Sequence, residues 1–226
     1  MIEYFSLYYL TNVILILISF SFFIVGIKNF KKIKGLKLLI LYSFLSFIQC
    51  LFAQVLFIYN PYNLLNSYWL EISINIFMVL EFIIFYAYLF NAIKSRFLKR
   101  MMVISFIAFL GITTLSWIAY SSYQYFPKNL TVIESFLILL PCLFYYYELF
   151  IFPPNKNLQS DPAFWVITGM LFLFSLLFPL FLFRNIMLLH FPSLYGSIYS
   201  ITFIAYSILF ICFINALICT IKTAKS

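Results

Sequence analysis

Seven runs of roughly 20 or more mostly apolar residues divide this chain, at 4–27, 36–59, 68–92, 101–120, 130–152, 163–183 and 194–221. A helix that crosses a bilayer needs about 20 such residues. Each run is apolar around its whole circumference, as expected of helices that meet lipid on one side and protein on the other. The sequence lacks the alternating ten-residue segments of a membrane barrel. Composition leads the same way. Of the 226 residues, 65% are hydrophobic and only 9% charged, where a soluble domain has about 45–50% and 25%. Too few polar residues exist to coat a water-facing surface. A soluble globule, a disordered chain and a nucleic-acid-binding domain are excluded. The sequence predicts one all-α domain, a polytopic membrane protein built as a seven-transmembrane-helix bundle with the bilayer as its first partner.

The gaps between runs carry loop chemistry. Asn60-Pro61, Pro127-Lys128-Asn129 and Pro153-Pro154-Asn155 break the chain. Asp161 precedes Pro162 at the start of the sixth run, which suits an N-cap followed by proline at the first helical position. Ser193 is the expected cap of the seventh. The net charge of +8 belongs to these gaps. Lys28, Lys31, Lys32, Lys34, Lys37, Lys94, Arg96, Lys99, Arg100, Lys156, Lys222 and Lys225 fall on one side; only Lys128 and Arg184 fall on the other. Basic loops stay in the cytoplasm, which places the N-terminus outside and the C-terminus inside. Met1-Ile2-Glu3 has no basic stretch ahead of the first run, so a cleaved signal peptide is not expected. The excess of Lys over Arg, with abundant Phe, Ile, Tyr and Asn, fits an AT-rich, bacterial source, and the expected site is the inner (cytoplasmic) membrane.

Cys50, Cys142, Cys212 and Cys219 all lie inside apolar runs, without Cys-x-x-Cys or Cys/His spacing. They read as small apolar packing residues, and no metal or cofactor is expected. A retinal Schiff base needs a lysine within the seventh helix, and Lys222 and Lys225 lie beyond its inner end. The single histidine, His190, is in an outer loop. Zinc hydrolysis and serine-protease chemistry are therefore not expected.

Charge inside the apolar runs is the informative signal. Glu81 lies about 18 Å along the third helix from Trp69, where a carboxylate costs about 2.5–3.5 kcal/mol on insertion scales. It should face the bundle interior, either as a proton, cation or ligand site or as an interhelical hydrogen-bond acceptor. Glu71, Glu134 and Arg184 are expected at an outer mouth, with Asn75 one turn below Glu71 and lining the same cavity. The plainer reading of these charges is snorkelling and helix capping. Glu134, Pro141, Tyr145 and Glu148 share one face of the fifth helix, a polar stripe beside a proline. Gln49, Gln54 and Asn215 are amides suited to bonds between helices. The lysines of the first loop suit anionic headgroups, although their role in topology already accounts for them.

The run from Asp161-Pro162-Ala163-Phe164-Trp165 through Gly169, Phe172 and Ser175 resembles part of a family of small, mostly uncharacterised seven-helix proteins of Bacteroidetes. So do Tyr145-Tyr146-Tyr147-Glu148-Leu149-Phe150 and Glu81-Phe82. More distantly, the layout is similar to the membrane part of bacterial seven-helix receptors with diverse intracellular signalling modules. The resemblance implies a receptor-like or accessory subunit that senses a small or lipidic ligand and acts through a sensor kinase or another signalling protein. Unlike the fused receptors, the chain is expected to carry neither an extracellular nor an output domain. A proton-coupled transporter using Glu81 and an intramembrane lipid-modifying enzyme are the other readings of the residues.

Overall fold

The computed structural model describes residues 2–30, 33–59, 64–119, 130–153, 158–190 and 195–223. Among these lie eight α-helices: α1 (Ile2–Lys28), α2 (Lys37–Tyr59), α3 (Leu64–Ala92), α4 (Arg96–Ala119), α5 (Leu130–Ile151), α6 (Pro162–Leu182), α7 (Arg184–His190) and α8 (Tyr195–Thr223). All but α7 are long and apolar enough to cross a membrane, and no strand is present among the described residues. The expected turn residues Asn60-Pro61, Pro127-Lys128-Asn129 and Ser193 lie outside the described residues, as do Lys31, Lys32, Lys156 and Lys225.

The start of the fourth helix differs from the sequence expectation, and a short helix follows the sixth where none was expected. The fourth helix starts at Arg96 and not at 101, because Ser95 acts as its cap: the Leu98 amide reaches the Ser95 hydroxyl at 3.5 Å and the Lys99 amide donates to the Ser95 carbonyl at 3.1 Å. Charged residues end an apolar run but not a helix. Arg184 does not close the sixth helix. The backbone breaks at Phe183, and Arg184 opens the short α7. Asp161 does cap α6 as read, accepting from the Ala163 amide at 3.0 Å with Pro162 in the first turn.

Ring contacts fix the helix pairing. Phe20 stacks on Phe47 and Phe23 on Phe44, each at 4.8 Å between centroids. The residue number rises by three on α1 as it falls by three on α2, so the two run antiparallel. The turn between them is seated inward, with Ile33 and Leu36 fully buried. Between helices in lipid there is little hydrophobic drive, and close packing takes over. Gly169 of α6 supplies it: a Cβ there would lie 2.9 Å from Cys212 Cβ and 3.4 Å from Leu209 Cα on α8. Gly26 does the same on α1, where Ile40 Cγ1 would lie 2.8 Å away.

The centre is aromatic. Tyr42 packs against Phe85 at 4.6 Å and against Phe77, Phe210 and Phe213 at about 6 Å. Phe22 and Phe174 close the cluster from α1 and α6. By contrast α4 stands at the edge, held to α3 by Phe82 on Phe109 at 4.1 Å and by a hydrogen bond between the Tyr86 and Ser105 hydroxyls. Its other face presents Ile104, Ile107, Leu115 and Ile118 outward, as suits a helix in lipid.

Candidate functional site: a buried carboxyl layer

A carboxyl inside an apolar bundle must find hydrogen-bond donors. Glu81 of α3 is 4% exposed and finds two. The Tyr42 hydroxyl of α2 donates to its Oε1 at 2.8 Å, and the Tyr206 hydroxyl of α8 donates to its Oε2 at 3.2 Å. Three helices therefore meet at one side chain. Tyr42 itself is completely buried. Ser46 and Cys50 follow Tyr42 at four-residue steps on the same face of α2.

Glu134 of α5 belongs to the same layer. It is 2% exposed. The geometry of α3 and α5 shows why. Thr131 Oγ1 on α5 donates to Met78 Sδ on α3 at 3.6 Å, an offset of 53 residues. At the other end of the pair, Glu148 accepts from the Ser95 amide at 2.9 Å, again with an offset of 53, and from the Lys94 amide at 3.0 Å. Both contacts ascend the two chains in the same direction, so α3 and α5 run parallel, with Ser95 in the turn just past α3. Residue 134 then stands opposite residue 81. Tyr206, bonded to Glu81, belongs to the same layer. Glu134 Oε1 is buried with no hydrogen-bond partner among the described residues.

This overturns the expected depth of Glu134. It lies four residues into α5, but α5 begins at Leu130, level with Phe77, when α3 has already run for thirteen residues from Leu64. Arg184 is half-buried at the start of α7. Glu71 lies in α3, and its side chain falls outside the described residues. Asn75 is half-buried, about 9 Å along α3 from Glu81.

Tyr145 is buried but serves another cluster, about 16 Å further along α5 from Glu134. Its hydroxyl approaches Asp161 Oδ2 at 3.4 Å, joining α5 to the cap of α6. Nearby, Tyr146 and Thr168 share a hydrogen bond of 2.6 Å. Glu148 is neither snorkelling nor free, since its carboxylate holds the turn between α3 and α4. A separate amide layer lies toward the opposite end of the bundle. Asn12 Nδ2 donates to Gln54 Oε1 at 2.9 Å and Gln49 Nε2 to Ser73 Oγ at 3.1 Å.

Tyr42 and Tyr206 were not singled out from sequence. A signal existed: Tyr42, Ser46, Cys50 and Gln54 recur every four residues, which puts a polar row on one face of α2. Among the described residues no group of three His, Cys, Asp or Glu is placed to hold a metal ion. No family model, curated protein or solved structure matches the chain.

Proposed function

We propose that the chain is an ion-coupled carrier of a small solute, worked by the Glu81–Glu134 layer. The observation that carries this reading is the placement of two buried carboxyls at one level on parallel helices, one of them with an unpartnered oxygen. Two like charges facing each other in a dry interior repel strongly. A proton or a small cation relieves that repulsion. Ionisable groups within membrane helices commonly mark such paths. Binding or release of the ion would change the bonds that tie α2, α3 and α8 together at Glu81, and that is how the ion would be coupled to helix movement. The excess of basic residues in the loops on one side supports an orientation with the N-terminus outside and the C-terminus in the cytoplasm.

A second reading keeps the same layer as a ligand-responsive latch in a receptor-like subunit. It is favoured by Glu148, which ties the inner end of α5 to the basic turn at Lys94–Ser95, where a signalling partner such as a sensor kinase would dock.

The test uses proteoliposomes loaded with a pH-reporting dye, with a proton gradient imposed against Na⁺ or K⁺. The carrier reading expects proton movement driven by one of these gradients, lost in Glu81→Gln and Glu134→Gln and kept in Glu148→Gln. Wild-type vesicles as tight as protein-free ones under every gradient would overturn it in favour of the latch.

A further inference from the structure

At the basic end of the bundle an open groove of about 400 Å³ runs between α3 and α4, lined by Phe90, Lys99, Arg100, Val103 and Ile104. Its chemistry is ordered along the helix axis. Lys99 and Arg100 stand in the first turn of α4; Val103 and Ile104 stand one turn further in, each four residues beyond a cation and therefore directly over it on the helix surface. Lys99 Nζ is seated 5.1 Å over the Phe90 ring, a cation–π contact. Arg100 is exposed. Val103 and Ile104 are 46% and 63% exposed, and Ile107 extends the apolar wall at 64%. The N-terminal end of α4 adds its own preference for negative charge. Glu148 is engaged with the Lys94 and Ser95 amides.

We propose that this groove is a binding site for an anionic phospholipid. The phosphate would lie between Lys99 and Arg100, and an acyl chain would follow Val103, Ile104 and Ile107 into the bilayer. Charge first and apolar wall one turn later is the order of groups in such a lipid. A free phosphate would use only the two cations and would leave the aliphatic wall without a role. Zwitterionic lipid carries a competing ammonium and would gain less from the same pair. This site is independent of the carboxyl layer.

The experiment is native mass spectrometry of the full chain released from nanodiscs of phosphatidylglycerol mixed with phosphatidylcholine. Wild type should retain phosphatidylglycerol several-fold over phosphatidylcholine. Lys99→Gln and Arg100→Gln should each lower retention about fivefold, and Arg100→Lys should keep most of it. Lys222→Gln, a basic residue in the last turn of α8, should retain the lipid as wild type does. Val103→Asn/Ile104→Asn should lower retention with the charges intact. Circular dichroism confirms that each variant is folded. Equal retention of the two lipids by wild type, or unchanged retention in Lys99→Gln/Arg100→Gln, would overturn the proposal. So would displacement of the lipid by millimolar inorganic phosphate with the aliphatic variant behaving as wild type, which would make the groove a simple anion site.

Discussion

Glu134 stands level with Glu81 because α3 and α5 run parallel at a fixed offset of 53 residues, pinned by Thr131 on Met78 at one end and Glu148 on Ser95 at the other. The two carboxyls differ in their surroundings. Glu81 holds two tyrosine hydroxyls, while Glu134 Oε1 has no partner among the described residues. Replacement should therefore act in opposite directions. Glu81→Leu leaves two hydroxyls without their acceptor and should lower stability by about 2–4 kcal/mol. Glu134→Gln keeps the shape of the side chain but removes the group that can ionise opposite Glu81, and should leave the melting temperature in detergent unchanged or higher. Unfolding followed by a tryptophan or thiol-reactive probe would show both. A Glu81→Leu protein more stable than wild type would remove the carboxyl layer from consideration as an organising element.

The tyrosines can be ranked. Tyr42 bonds Glu81 at 2.8 Å from a fully buried position, and Tyr206 bonds it at 3.2 Å. Tyr42→Phe should cost about 1.5–3 kcal/mol and Tyr206→Phe less, as for hydrogen bonds to an ionisable group. A double-mutant cycle with Glu81→Gln should give a larger coupling energy for Tyr42.

Glu148 holds two backbone amides at the turn between α3 and α4. Glu148→Ala should cost about 1–3 kcal/mol by leaving both donors to water or without a partner. Hydrogen exchange should report it locally: the Lys94 and Ser95 amides should lose protection, while the helix centres of α3 and α5 keep theirs. Uniform loss of protection along α5 would instead point to a general loosening of the helix.

Glycines at two positions give a contrast. A Cβ at Gly169 would press on α8 at 2.9 Å, so Gly169→Ala should destabilise by about 1–3 kcal/mol. A Cβ at Gly111 in α4 meets nothing within 4 Å. Gly111→Ala should be neutral or stabilise by up to about 1 kcal/mol, through helix propensity alone. Melting temperatures of the two variants, measured side by side, should move apart.

Much of this architecture could be read from the chain, and the rest could not for identifiable reasons. The spanning helices were legible because hydropathy and length suffice for them. So was the start of α6, because Asp161-Pro162 is a local signal with a local consequence. Glu81 stood out because a charge amid some twenty apolar residues has few explanations. The depth of Glu134 was not legible: counting from the end of its own helix assumes that all helices begin at one level, and α5 begins where α3 is already halfway along. Such stagger depends on packing between helices. The partners of Glu81 were missed for a related reason. In a chain with 18 tyrosines, nothing local distinguishes the two whose hydroxyls point inward, although the four-residue row from Tyr42 to Gln54 marked the face of α2 to watch. The end of α6 near Phe183 was legible from the run itself, but the short α7 was not, because seven residues opening on Arg184 and Asn185 are too few for hydropathy to mark as a helix.

The contact at Gly169 reaches further than its own stability. A helix seated this close to its neighbour's backbone has little room to slide, which favours α6 and α8 holding their packing when the rest of the bundle shifts. Tyr206 belongs to α8, whereas Tyr42 and Glu81 come from α2 and α3. Any rocking of the rest of the bundle against this pair of helices would part Tyr206 from Glu81 first and leave the shorter Tyr42 bond intact.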